Sequence, residues 1–153
     1  MSAPTGRGPQ ASETSPSIAG VLETCLYAAD LDAAEGFYVG VLGLELLARE
    51  PGRHVFMCCG AGMLLVFDPA RTSREPGEVR GVAVPAHGTR GAGHVCFRIE
   101  AGELDAWRER LERAGVAIEA EIAWPRGGKS IYVRDPAGNS VELAPALIWG
   151  PKS

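Results

Sequence analysis

Three polar side chains stand on strand-like segments where apolar residues would be expected: Glu23, His94 and Glu142. Two carboxylates and an imidazole form a natural donor set for a divalent cation. They also include two groups able to accept a proton near neutral pH. An ionised carboxylate lining an interior space is costly unless it is paired or metal-bound. The three groups explain one another if they converge on one metal ion. Each has a plainer alternative. His94 could be a satisfied core histidine, Glu142 an exposed carboxylate after a turn, and Glu23 a partner of Arg98 or Arg134.

The elements that must position these residues are written twice. The first copy starts at Val21-Leu22-Glu23-Thr24-Cys25-Leu26-Tyr27, a strand bounded by Gly20 and Asp30. Asp30 is a good N-cap, and Leu31, Ala34, Phe37, Tyr38, Val41 and Leu42 recur at helical spacing up to Gly43. Strand-like runs follow at 44–49, 54–59 and 63–67. The second copy repeats this order. Gly93-His94-Val95-Cys96-Phe97-Arg98-Ile99 is its strand, and Leu104, Trp107, Leu111 and Ala114 its helical stripe. Runs at 116–122, 129–134 and 140–144 follow, the last two flanking the turn signal Asp135-Pro136-Ala137-Gly138-Asn139. Neither copy is expected to bury a core alone.

Period two assigns the faces. Glu23, Cys25 and Tyr27 share one face, as do His94, Cys96 and Arg98. In the second hairpin Ile131, Val133, Val141 and Leu143 form the apolar face, and Ser130, Tyr132, Arg134, Ser140 and Glu142 point the other way. If each helix covers the apolar face, the polar face lines a cup. Tyr27, Arg98, Tyr132 and Arg134 then become candidate substrate-binding residues. His54 is expected at a rim and His87 in solvent.

The remaining composition narrows the function. The 153 residues suffice for one domain with a real core, expected over 19–150, with modules at 19–69 and 92–150 and a linker at 70–91. Residues 1–18, rich in Ser, Pro, Gly and Thr, read as a disordered tail rather than a signal peptide. A net charge of −4 without a basic stripe argues against nucleic acid, and no apolar run is long enough to span a bilayer. Cys25, Cys58, Cys59 and Cys96 form no C-x-x-C pair and read as buried thiols of a reducing, cytoplasmic protein. Gly127-Gly128-Lys129-Ser130 matches the end of a phosphate-binding loop, but Ala123 stands at the earlier glycine and a strand follows.

Taken together, the segments 22–31, Phe37-Tyr38, 41–44, 93–97 and 135–143 resemble the vicinal oxygen chelate superfamily of glyoxalases, extradiol dioxygenases and bleomycin-resistance proteins. The resemblance covers about residues 20–150. It implies an α+β fold of two tandem β-α-β-β-β modules forming a cupped, mixed sheet. By position, His94 and Glu142 match the two metal ligands of the second module. Glu23 stands where the first module offers His or Gln. The fourth ligand position falls in Leu64-Leu65-Val66-Phe67, where no ligand is present. The resemblance thus implies a three-ligand site (Glu23, His94, Glu142) for Fe, Zn, Ni or Mn. Glu23 or Glu142 would serve as general base, and the substrate would be a small molecule with two neighbouring oxygens. It also implies a homodimer, in which Glu23 could meet His94 and Glu142 of a partner subunit. The alternative within the superfamily is a metal-free cup that sequesters a small molecule.

Overall fold

The computed structural model describes residues 16–75 and 77–150. The expected disorder of residues 1–15 lies outside that range. Two four-stranded sheets carry the structure. The first contains β1 (Glu23–Tyr27), β2 (Glu45–Glu50), β3 (His54–Cys59) and β4 (Gly62–Phe67), in the order β1-β4-β3-β2. Between the sheets in sequence lie a short helix, α2 (Pro69–Thr72), and a small hairpin of β5 (Glu78–Val79) and β6 (Val82–Ala83). The second sheet contains β7 (His94–Arg98), β8 (Ile118–Ala123), β9 (Lys129–Arg134) and β10 (Ser140–Ala144), in the order β7-β10-β9-β8. In each sheet the first strand pairs in parallel with the last, and all other pairs are antiparallel. The fold is therefore mixed α+β, with one topology used twice.

Each sheet is covered by the helix that follows its first strand. Helix α1 (Leu31–Glu35) is capped by Asp30, whose carboxylate accepts from the Ala33 N–H at 2.9 Å. It runs on as a π-helical turn, Gly36–Val41, where one uninterrupted helix was expected. That wider turn carries the fully buried Tyr38 and the buried Phe37. Gly43, at φ 79°, ends the segment in the left-handed region. A Cβ there would approach Arg110 Nη2 to 3.0 Å, and Arg110 itself donates to the Val41 carbonyl at 2.6 Å. Helix α3 (Leu104–Arg113) carries Arg110 and buries Leu111 completely.

One apolar core joins both halves. Leu26, Tyr38, Val55, Met57, Leu64 and Val66 of the first half cluster with Leu111, Ile131, Val133, Val141 and Leu143 of the second. The helix-facing residues Val55, Met57, Ile131, Val133, Val141 and Leu143 are all buried, and Ser130 and Glu142 on the other face are buried as well. The linker contains the short strand that the apolar run Val82-Ala83-Val84 suggests, and more structure besides. Besides α2 and the β5–β6 hairpin, it returns His87 to the first sheet, so that residue is half-buried rather than solvated. Among the described residues, no helix is long and apolar enough to cross a membrane.

A polar knot fixes the two halves against each other. Asp135 and Asn139, both buried, close the turn between β9 and β10. Asp135 accepts from Tyr38 Oη at 2.7 Å and from Asn139 Nδ2 at 2.8 Å. Asn139 also donates to the Tyr27 carbonyl at 3.2 Å and accepts from the Gly93 N–H at 2.7 Å. Gly93 has no room for a side chain: a Cβ would lie 2.9 Å from Leu26 Cδ2. The ends of β1 and β7 are thereby held together, and the residue after Gly93 is His94.

Candidate functional site

The parallel pairing of β1 with β4, and of β7 with β10, gives matched rows. Glu23 sits opposite Met63, Cys25 opposite Leu65 and Tyr27 opposite Phe67. His94 sits opposite Ser140, Cys96 opposite Glu142 and Arg98 opposite Ala144. Glu23 and His94 are therefore equivalent positions, and so are Leu65 and Glu142. The fourth ligand position of the fold is Leu65, which cannot bind a metal.

His94 and Glu142 form a pair. His94 Nε2 lies 3.6 Å from Glu142 Oε2, and His94 Nδ1 lies 3.3 Å from Ser140 Oγ. The serine engages one ring nitrogen and leaves the other facing the carboxylate. Tyr132 lies nearly parallel to the imidazole, with ring centroids 6.2 Å apart. Partial burial, and then the adjacent Glu142 carboxylate, push the Tyr132 phenol upward, so it remains a proton donor. Cys96 is open to solvent on one side, yet desolvation by the sheet and then Glu142 push its thiol up to about 12. It is a neutral thiol at neutral pH.

Glu142 is the anomaly of the site. It is only 4% exposed, and its Oε1 has no hydrogen-bond partner among the described residues. An unsatisfied buried polar atom costs about 1–3 kcal/mol, more if charged. A cation beside Oε1 and His94 Nε2 would remove that cost. The donor types, one imidazole and one carboxylate, also suit a divalent transition metal. The pair fits the metal that the fold implies.

Glu23 does not join the pair within one chain. Among the described residues, no three His, Cys, Asp or Glu side chains gather around one point. Glu23 is exposed on the first sheet, at the edge of a separate cavity. It also has no ion-pair partner among the described residues, so the alternative of a salt bridge to Arg98 or Arg134 is not formed within the chain. Arg134 instead makes a two-pronged contact with Glu119, at 2.6 and 3.0 Å. That carboxylate stands next to it on the neighbouring strand. Arg98 is exposed with the same parity as His94. Cys25 and Cys96 are exposed rather than buried, because both lie on the cup face and neither helix covers that face.

The cavity beside Glu23 has a volume of about 610 Å³. Its walls are aromatic: Tyr27, His54, Phe56, Phe67 and His87. His54 stacks on Phe56 with centroids 3.9 Å apart, and Phe67 meets His87 edge-on at 4.7 Å. Tyr27 Oη and His87 Nδ1 are 2.9 Å apart. Burial pulls the His54 pKa below its ordinary value, although Glu50 opposes this. The period-two rule already places His54 and Phe56 on the face shared by Glu23. The return of His87 from the linker carries no periodic signal.

Comparison with known proteins agrees with this geometry. The structure of a lactoylglutathione lyase from Agrobacterium tumefaciens is 45% identical, covers 88% of this chain and 98% of its own, and superposes with a TM-score of 0.81. The candidate ring-cleaving dioxygenase MhqE of Bacillus subtilis is 31% identical over 101 residues, which are 60% of this chain but only 30% of that protein. The chain therefore spans less than a third of MhqE. The uncharacterised protein PA2024 of Pseudomonas aeruginosa is 28% identical over 136 residues, covering 84% of this chain and 89% of that one. The profile of the Glyoxalase/Bleomycin resistance protein/Dioxygenase superfamily matches residues 20–143. By that match, the two-module chain with its His94–Glu142 pair belongs to the Glyoxalase/Bleomycin resistance protein/Dioxygenase superfamily.

Proposed function

We propose that the protein is a metal-dependent enzyme acting on a small molecule with two neighbouring oxygens. His94 and Glu142 of one copy would hold the metal together with Glu23 of a second copy. The observation that carries this reading is Glu142: a buried carboxylate with an unpartnered oxygen beside an imidazole. In a two-fold dimer, one contact between the first sheet of one copy and the second sheet of the other generates two such sites. The exposed cup faces and the separation of Glu23 from His94 within a chain support that arrangement.

A bound divalent metal supplies Lewis-acid stabilisation of negative charge developing on a substrate oxygen. The chain's own groups divide the rest. Ser140 orients His94 through Nδ1. Tyr132 presents a protonated hydroxyl next to Glu142. Glu23, exposed and without an ion-pair partner among the described residues, would double as metal holder and as the group that takes a proton from the carbon beside a carbonyl. That role suits a glyoxalase-type isomerase or lyase, consistent with the high coverage of the Agrobacterium tumefaciens relative. The dioxygenase reaction is the variant to which iron would point.

Elemental analysis of protein purified without chelators or a histidine tag tests the reading. About one equivalent of transition metal per chain is expected, lost in His94→Ala. No metal, and none taken up on titration, would overturn it. The second reading, a metal-free cup that sequesters its guest, is favoured by the aromatic cavity. Glu142→Gln separates the two, because it abolishes metal uptake but only weakens guest binding.

A further inference from the structure

We propose that the cavity of the first sheet is a subsite for a flat aromatic group, so that the substrate carries an aryl ring next to its paired oxygens. The inference rests on the enzyme reading only for those oxygens; the ring subsite stands on its own geometry. Five rings line one cavity in a chain with four Phe, three Tyr, three Trp and three His in all. Two of the four Phe and two of the three His are placed there.

The rings are arranged around a space rather than filling one another. His54 and Phe56 lie nearly parallel, 12° apart, and form one wall. Phe67 stands across Phe56 at 72°, with centroids 5.3 Å apart, and His87 stands across Phe67 at 79°. An aromatic guest can therefore stack on one wall and meet the edges of the others, the two arrangements that aromatic pairs prefer. The volume of about 610 Å³ falls within the usual range for small-molecule sites.

The linker closes the far side. Val79 of the β5–β6 hairpin, with Val84 and Pro85, completes the apolar wall. His87 is anchored by its backbone N–H to the Thr72 carbonyl at 3.2 Å and by its ring to Tyr27. Val79 and Val84 remain exposed while they line this wall, leaving their apolar surface open to a guest. Glu23 marks the end of the cavity that faces the cup. A guest whose ring enters here thus presents its substituent towards the residue proposed to complete the metal site.

The test is a matched pair of probes, 2-hydroxyacetophenone and hydroxyacetone, which share the hydroxyketone and differ by phenyl against methyl. Affinities are measured by NMR titration on the full chain, with saturation transfer to the ring protons. The aryl probe should bind about tenfold tighter or more. Phe56→Leu, which keeps most of the volume, and His87→Ala, which lies in the linker outside the core, should each erase most of that preference. His94→Ala, or a chelator, should leave the ratio of the two affinities unchanged even if both weaken. A persisting ratio in a protein that binds no metal would sink the enzyme reading and keep the ring subsite. Equal affinities in a metal-loaded protein would overturn the ring subsite and keep the enzyme reading. A preference that survives both cavity variants would also overturn it.

Discussion

The two sheets share one backbone plan and differ in what they place on the cup face. In the first, the row running from β1 through β4 to β3 reads Cys25, Leu65, Phe56. In the second, the equivalent row reads Cys96, Glu142, Tyr132. The opposite faces of the same strands are both aliphatic and both buried. Register is set by that buried face, because a slip of one residue would turn it to solvent. The cup face does not set the register, so the two copies can diverge there without changing the fold. One became aromatic and suited to carbon, the other polar and suited to oxygen or metal.

The most direct way to break the comparison is to give the second sheet the first sheet's residue. Glu142→Leu should eliminate metal binding and lower turnover by about 10²–10³-fold or more. The same substitution should stabilise the metal-free protein by about 1–3 kcal/mol, because it removes a buried oxygen that has no partner. Elemental analysis, turnover and urea denaturation of the metal-free proteins read the three effects. Retained metal would show that Glu142 is not a ligand. A loss of metal-free stability would show that Glu142 has an unseen partner.

The reverse exchange sharpens it. Leu65→Glu places a carboxylate at the position equivalent to Glu142, next to Cys25 and one strand from Phe56. If the first sheet of one copy completes the site of another, metal loss to a chelator should slow. If the two faces never meet, exchange is unchanged. The unliganded variant should be less stable by about 1–3 kcal/mol, since Leu65 is buried.

The turns between the last two strands of each sheet differ as well. The first is a glycine turn at Gly60-Ala61; the second is the Asp135–Asn139 knot. Only the knot reaches the other half, through Tyr38, whose phenol is pushed upward by burial and then by Asp135. Tyr38→Phe should cost about 1–3 kcal/mol, because it strips a buried carboxylate of one donor. The shift of the urea midpoint at constant slope measures this. A change near zero would mean that Asp135 is satisfied by Asn139 and the turn backbone alone.

These contrasts also mark what could be read from sequence. The strand alternation placed Ile131, Val133, Val141 and Leu143 in the core, because burial of one face is a period-two signal. Strands β9 and β10 have the bounds expected from the Asp135-Pro136-Ala137-Gly138-Asn139 turn between them. His94 and Glu142 were legible as a pair because they share parity on neighbouring strands. What failed was non-periodic. The π-helical turn at Gly36–Val41 has no apolar spacing that distinguishes it from the α-helix expected there. The linker's fold over the first sheet depends on single contacts such as His87 to Tyr27. Arg134 also pairs with Glu119, which the same alternation places on the adjoining strand but which no motif marks.

The smallest expected effect concerns pH and the aromatic side of the comparison. His54 is half-buried among rings in the first sheet, and desolvation holds its pKa below the ordinary value of 6.5. The unfolded chain therefore takes up this proton at higher pH than the folded one. The sign follows from linkage: stability contributed by neutral His54 is fully present above about pH 6.5 and declines as pH falls below it. The decline levels off once pH passes the depressed folded value, where both states are protonated. His54→Phe, which keeps a ring on the wall, should remove this part of the slope while leaving neutral-pH stability nearly unchanged. Urea midpoints of the metal-free proteins between about pH 5 and 7 provide the comparison. An unchanged slope would place the imidazole in contact with water, and the first sheet's wall would then be less dry than its ring packing implies.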